Sequence, residues 1–379
     1  MKFPVTPPLV RQIIDGRVAQ LGDDGRSLLE VAAVLGEEIP ASRLDLWRDL
    51  AGVDEAAFRQ TIDRAVEQHL LVAVDRAGAL RFYHTLVRES LYDGVGLVRR
   101  QDLHRRIGVA LADLGHPNVE EVALHLYLAR DPAGVDWLVR AAEQAQPVGG
   151  WTTAATRFEE AVEISRYTPG SGRTVGWLLY RAALMRRFSD VRRALELLDE
   201  ASVVARDTGD AALIVGIRYH RGFVRCWARQ VQAGIAEMEA AVAEMERLSD
   251  EDYACLQVVE SFGSRERGEH RGTLNAWNSL VGRYREALER SESLDVGVSP
   301  AVASHRGLSR SAVGDGYIGR AAALAMLGQP ERTSQLFEAA RQSYASISHS
   351  HQLGWSYLDE LLHVVLPYHA DDIGRSEWL

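Results

Sequence analysis

The sequence predicts a mainly all-α protein: an N-terminal helical domain closed by a small β-hairpin, then a long array of helical pairs. Three observations predict it. Alanine, leucine, arginine and glutamate abound in the 379 residues while aromatics make up only 7%, a composition that favours helix. Two short β-type runs, Leu71-Val-Ala-Val and Ala79-Leu-Arg-Phe-Tyr, flank the turn sequence Asp75-Arg-Ala-Gly, which reads as a tight hairpin. Beyond Asp131-Pro132, a small residue, a large apolar residue four positions on and an alanine three further recur at a spacing of 40 residues.

Taken in order, Pro7-Pro8 opens a helix through Leu21 with Leu9, Ile13, Ile14, Val18 and Leu21 on one face. Asp23-Asp24 caps a second, carrying Leu28, Leu29, Val31, Ala32 and Leu35, which Gly36 ends. Pro40-Ala-Ser leads into a helix at Arg43–Leu50. Asp54 caps another, with Phe58, Ile62, Ala65, Val66 and Leu70 facing inward. Helices followed by a two-stranded wing fit a winged-helix domain, residues 1–96. Two amphipathic helices, Leu103–Leu114 and Val119–Leu128, form a connection over residues 97–131. Residues 132–379 read as a tetratricopeptide-like α-solenoid. Its register marks are Ala154-Phe158-Ala161, Ala194-Leu198-Ala201 and Gly234-Met238-Ala241, with weaker copies at Thr273-Trp277-Leu280 and Thr333-Phe337-Ala340. The small residues let paired helices approach and the large one fills the space between successive pairs. Ser291–Gly314, rich in Ser and Gly, reads as a loop inside the array.

Charge and composition exclude several classes. A net charge of -10 argues against a general binder of nucleic acid or anionic membrane, both of which reward a basic surface. Lys2 is the single lysine among 43 basic residues, so Schiff-base and phosphate-loop lysine chemistry has no candidate in the body of the chain. The two cysteines, Cys226 and Cys255, read as thiols in a reducing compartment. The N-terminus has no apolar signal core, and no run approaches the roughly 18 apolar residues that span a bilayer. A cytoplasmic protein without membrane contact is expected.

The stretch from Pro7 to about Leu114 resembles the winged-helix region of large ATP-binding LuxR-type, MalT-like transcriptional regulators of the STAND class. The resemblance rests on Pro-Pro-Leu-Val-Arg-Gln-Ile-Ile, on Arg26-Ser-Leu-Leu-Glu-Val-Ala-Ala-Val-Leu-Gly, on Arg81-Phe-Tyr-His-Thr-Leu-Val-Arg-Glu-Ser-Leu-Tyr and on Arg99-Arg-Gln-Asp-Leu-His-Arg-Arg-Ile. The later repeats look like the sensor array of the same family. In that family an ATPase module precedes this region and a DNA-binding helix-turn-helix often follows it. This sequence carries no Gly-Lys-Ser/Thr phosphate loop and no basic helical tail, so it resembles a sensor half of a larger regulator. The resemblance implies that His84 is a switch histidine, with Tyr83 and Thr85 replacing its family neighbours, and that His84 and Arg88 contact nucleotide only with an ATPase domain in trans. Read from the residues alone, His84 is a hydrogen-bonding histidine at a strand–helix junction.

Other constellations are weighed the same way. Arg99, Arg100, His104, Arg105 and Arg106 form a candidate anion patch, or else a solvated helix face pairing with Asp102. DNA binding through the winged helix is the alternative function, yet acids outnumber arginines along Asp23–Leu70, and readout by Asp54–Leu70 would fall to Arg59 and Arg64. His349, His351, His363 and His369 lack a carboxylate or cysteine at ligand spacing, so neither metal nor cofactor is expected. No catalytic residue is proposed and no enzyme is expected. The repeats offer more. Trp177, Tyr180, Arg187, Tyr219, Arg221, Arg225 and Trp227 supply aromatic and arginine side chains, the types favoured where a peptide or small effector is captured, about half of them expected to face a groove. The expected function is a non-enzymatic sensor and protein-interaction module with an effector or partner protein in that groove.

Overall fold

A computed structural model describes residues 8–74, 78–259, 274, 277–278, 281–283, 288, 310–345 and 350–368. Among the described residues the chain is mainly α-helical with one small sheet, and it divides into two compact units, Met1–Ser171 and Gly172–Leu379.

The first unit begins with α1 (Pro8–Ala19), α2 (Gly22–Leu35), β1 (Glu38–Ile39), a 3-10 turn at Ala41–Arg43, α3 (Leu44–Ala51), α4 (Glu55–Glu67), β2 (Leu71–Ala73) and β3 (Leu80–Phe82). The two expected strands pair antiparallel with Leu71 opposite Phe82 and Ala73 opposite Leu80. A third strand, β1, joins the other side of β3 and gives the order β1-β3-β2. Its two residues are too few to show an alternating pattern in the sequence. Ile39, Leu71, Leu80 and Phe82 point into the core, as a period of two requires. Trp47 on α3 is fully buried; it meets Phe58 edge-on at 5.1 Å and donates its indole N–H to the Leu28 carbonyl at 2.8 Å. The Asp54 carboxylate caps α4 by accepting from the Ala57 amide at 2.8 Å. Of the face expected for the first helix, Ile14 and Val18 on α1 and Leu21 just beyond it reach the core; Leu9 and Ile13 remain exposed. Leu21 caps α2 through its backbone alone, and Asp23 and Asp24 lie inside the first turn, where they favour the helix through its dipole.

The unit continues with α5 (Thr85–Gly94), α6 (Leu97–Ala112), α7 (Val119–Leu128), α8 (Gly134–Ala145), a 3-10 turn at Gln146–Val148 and α9 (Trp151–Ser165). Helices α6 with α7 and α8 with α9 pack as neighbours. The Asn118 side chain caps α7 through the Glu121 amide at 3.3 Å. Ala154, Phe158 and Ala161 on α9 are fully buried.

Among the described residues the second unit contains α10 (Gly172–Arg186), α11 (Val191–Thr208), α12 (Ala211–Trp227), α13 (Val231–Met245), α14 (Asp250–Val259), α15 (Arg310–Met326), α16 (Pro330–Ala345) and α17 (Ser350–Glu360), with a π-helical turn at Leu361–Val365 and a helical turn at Leu366–Tyr368. The pairs α10 with α11, α12 with α13 and α15 with α16 repeat one tetratricopeptide-like plan. Ala194, Leu198 and Ala201 are fully buried, as are Met238 and Ala241, and Thr333, Phe337 and Ala340. At α12 and α13 the backbones meet through glycine: a Cβ on Gly222 would stand 2.6 Å from the Gly234 carbonyl oxygen. Asp190 and Asp210 cap α11 and α12, each accepting at 3.0 Å, from the Arg193 and Leu213 amides. The expected loop Ser291–Gly314 is corrected at its end, because Arg310–Gly314 belong to α15. Residues 291–309 lie outside the described residues, as do Thr273 and Leu280 of the fourth register mark, 75–77 of the hairpin turn, and His349 and His369.

Candidate functional site

His84 stands at the N-cap of α5. Its Nδ1 accepts the Leu86 amide at 3.2 Å, which leaves Nε2 to carry the ring proton and to face solvent on an exposed residue. Arg88 turns the other way: its Nε donates to the Ala33 carbonyl at 3.0 Å, and its guanidinium lies 5.7 Å from the Tyr92 ring. The two residues are therefore not brought together as one anion clamp. The arginine patch likewise disperses. Arg99 reaches Ser27 and Glu30, Arg100 the Tyr92 carbonyl, Arg105 Asp102 and Arg106 the Leu50 carbonyl, while His104 is buried. On α4, Arg59 pairs with Glu55 at 2.5 Å and Arg64 donates to the Gln20 carbonyl. Both arginines named for DNA readout are thus engaged within the domain.

In the second unit the expected residues separate into core and surface. Tyr180 and Tyr219, 0% and 3% exposed, are core residues and line no groove, because α10 and α12 are packed on more than one side. The Tyr180 hydroxyl meets Nδ1 of His220 at 2.7 Å. Trp177 is half-buried and donates its indole N–H to Asp210 at 3.0 Å; Arg173 adds a second hydrogen bond to the same carboxylate at 2.7 Å. Burial pushes the Asp210 carboxyl up, but the hydrogen bonds from Leu213, Arg173 and Trp177 outweigh it and hold the group below the usual carboxylate range. Arg221 and Arg225 converge on Glu237 at 3.2 and 2.6 Å, which fixes their heads on the α12–α13 pair. Arg187 stacks on Phe188 at 4.6 Å and donates to the Leu184 carbonyl.

What the sequence reading missed is the ladder that joins these residues. Ring centroids run edge-on from Trp177 to Tyr180 at 5.9 Å, to His220 at 5.5 Å, to Phe223 at 6.4 Å, to Trp227 at 6.3 Å and to Trp277 at 5.9 Å. Phe188 closes on both Phe223 and Trp227, at 5.9 and 5.6 Å. Edge-to-face pairs of this kind add about 0.5–1.5 kcal/mol each beyond burial and hold the rings at fixed angles. Tyr180 holds the ladder in the core; further along it, Phe188 is 61% and Trp227 53% exposed. The available signal was register, since Phe188, two residues past α10, and Trp227, the last residue of α12, follow the first helix of successive pairs nearly one repeat apart.

Elsewhere, a depression of about 300 Å³ in the first unit is lined by Arg130, Pro132, Ile164, Tyr167 and Thr168, none of them a carboxylate or thiol. Among the described residues no three His, Cys, Asp or Glu side chains converge as metal ligands, and no helix is long and apolar enough to cross a membrane. Cys226 and Cys255 are both thiols, and burial pushes the Cys226 group up to about 11.

No protein-family description and no curated protein matches the chain. Among solved structures it is similar to BtubC (BKLC) from P. vanneervenii, at 14% identity over 67% of this chain and 93% of that one, with a TM-score of 0.45. It is also similar to a signal transduction ATPase with numerous domains (STAND) that has a tetratricopeptide repeat sensor, from Pyrococcus horikoshii. There the identity is 10% over 95% of this chain and the TM-score 0.41, and this chain spans 56% of that protein's length. A Rap protein complexed with competence and sporulation factor is similar at 12% identity, over 93% and 97% of the two chains, with a TM-score of 0.40.

Proposed function

We propose that the chain is a non-enzymatic sensor and protein-interaction module of a STAND/LuxR-type transcriptional regulator, acting in the cytoplasm. The partner is a protein segment or small effector that seats on the aromatic face of α10 and α12. The observation that carries this reading is the exposed part of the ladder: Phe188 and Trp227 are large, rigid and half out of the protein, backed by rings locked edge-on, with Arg187 stacked on Phe188. Rigid aromatics beside arginine lose little side-chain freedom on binding and supply most of the energy at interaction hot spots. Trp177, Arg221 and Arg225 act here by setting the shape of that face.

On this reading residues 1–96 are a winged-helix domain, 97–131 a connection and 132–379 the sensor array. The order helix, strand, helix, helix, strand, strand over Gly22–Phe82 supports the winged-helix assignment. His84 then contacts nucleotide only with an ATPase domain in trans, through the outward Nε2–H that its capping role leaves available. The DNA-binding alternative lacks support, since Arg59 and Arg64 are engaged within the domain. The test is selection of displayed peptides on the full chain and on a Phe188→Ala/Trp227→Ala variant with unchanged circular dichroism. Peptides enriched on the parent and lost on the variant are expected. Equal enrichment on both, or none on the parent, overturns the reading.

A further inference from the structure

His104 on α6 and His125 on α7 are 3% and 4% exposed and take no part in the aromatic face. Their Nδ1 atoms lie 2.9 Å apart, so one must carry a proton and the other a lone pair. Nε2 of His104 faces the Tyr92 hydroxyl at 2.9 Å, a group able to donate or accept. Whichever ring donates across the Nδ1–Nδ1 contact is the Nδ1–H tautomer and the other is the Nε2–H tautomer, with the Tyr92 hydroxyl donating to His104 in one order and accepting from it in the other.

This chain of hydrogen bonds ties three helices together: Tyr92 lies on α5, His104 on α6 and His125 on α7. An added proton either sets two N–H donors face to face between the Nδ1 atoms or occupies an outer nitrogen. On Nε2 of His104 it turns the Tyr92 hydroxyl into an acceptor but places an imidazolium beside two guanidiniums, Arg88 and Arg100, which lie 5.7 and 4.8 Å from the Tyr92 ring. Around His125, Glu121 favours a proton, yet it is paired with Arg43, which opposes one.

We propose that the Tyr92–His104–His125 chain is a proton-released latch that fastens α6 and α7 to α5, closed while both rings are neutral and opened by proton uptake. Burial first, then the neighbouring ring and the arginines, push His104 down to about 3; burial above all pushes His125 down to about 4. The closed latch therefore stays neutral at pH 7, whereas an opened, solvated imidazole of ordinary basicity begins to take up protons below about pH 6.5.

The test uses the full chain with ¹⁵N-labelled histidine. At pH 7 the buried rings should show one Nδ1–H and one Nε2–H tautomer. Hydrogen exchange of α6 and α7 amides, corrected for intrinsic rate, should rise at least about 20-fold from pH 7 to 5, the factor expected for one freed imidazole. In H104Q/H125Q, whose amides donate and accept but do not titrate, that rise should vanish. Two identical tautomers, a flat profile in the parent chain, or an undiminished rise in the variant each overturn the latch. Should the variant fail to fold, the tautomers and the profile of the parent chain decide the matter.

Discussion

Replacing Gly234 by Ala sets two known effects against each other. Gly234 lies inside α13, where alanine is favoured over glycine by about 0.8–1 kcal/mol. Its new Cβ, however, would stand 2.5 Å from the Gly222 carbonyl oxygen, 2.5 Å from Cys226 Sγ and 3.0 Å from the Cys226 backbone nitrogen. Two of these atoms are backbone of α12 and cannot rotate away. Ordinary contact requires the helices to part by roughly 1 Å, a gap that forfeits about a quarter to a half of each dispersion contact it opens. Met238 and Ala241, both fully buried, lie on the same helix and feel that gap. Overpacking of this kind costs about 3 kcal/mol at the upper end of the usual range. The net expectation is a loss of about 2 kcal/mol, or about 4–8 °C in Tm for a unit of this size. Gly354→Ala is the control, because that Cβ meets nothing within 4 Å and α17 should gain up to about 1 kcal/mol. Calorimetry of the full chain measures both. A Gly234→Ala protein as stable as the parent would refute the claim that glycine sets the α12–α13 distance.

Other expectations follow the same reasoning. Phe337→Ala empties a fully buried register position and should cost about 3–5 kcal/mol, read from denaturant midpoints. Trp47→Phe leaves the Leu28 carbonyl without its indole donor and should cost about 1–3 kcal/mol by the same measurement. Because His104 and His125 hold protons far less readily in the folded chain, the unfolded chain binds more protons between about pH 4 and pH 6.5, and stability falls as pH drops through that window. From pH 7 to pH 5 the loss is about 2 kcal/mol per ring, checked by urea titrations at the two values.

The architecture was written in the sequence where small and large residues alternate at repeat spacing. Ala154-Phe158-Ala161, Ala194-Leu198-Ala201 and Thr333-Phe337-Ala340 are fully buried because only that size pattern lets two helices close on each other. β1 was illegible for the opposite reason: Glu38 and Ile39 become a strand only by pairing with Arg81 and Leu80, distant in sequence. Leu9 and Ile13 kept helical period with Ile14 and Val18, but period states only which residues share a stripe, not how wide a stripe the neighbours cover. Tyr180 and Tyr219 were read as groove residues because amphipathic side chains serve core and surface equally well, and the choice depends on packing from more than one side. His104 sat among arginines and was grouped with them; the hydroxyl of Tyr92 and the ring of His125, which take it into the interior, come from two other helices. The edge-on ladder could not be read either, since ring angles are set by neighbours from separate repeats.

The aromatic face is tested most directly by hydroxyl-radical footprinting of the full chain with and without a peptide enriched on it. The account predicts that Phe188 and Trp227 lose most of their reactivity when the peptide is bound, while exposed Tyr167 and Trp355 keep theirs. Bound peptide with unchanged oxidation of Phe188 and Trp227 would contradict it.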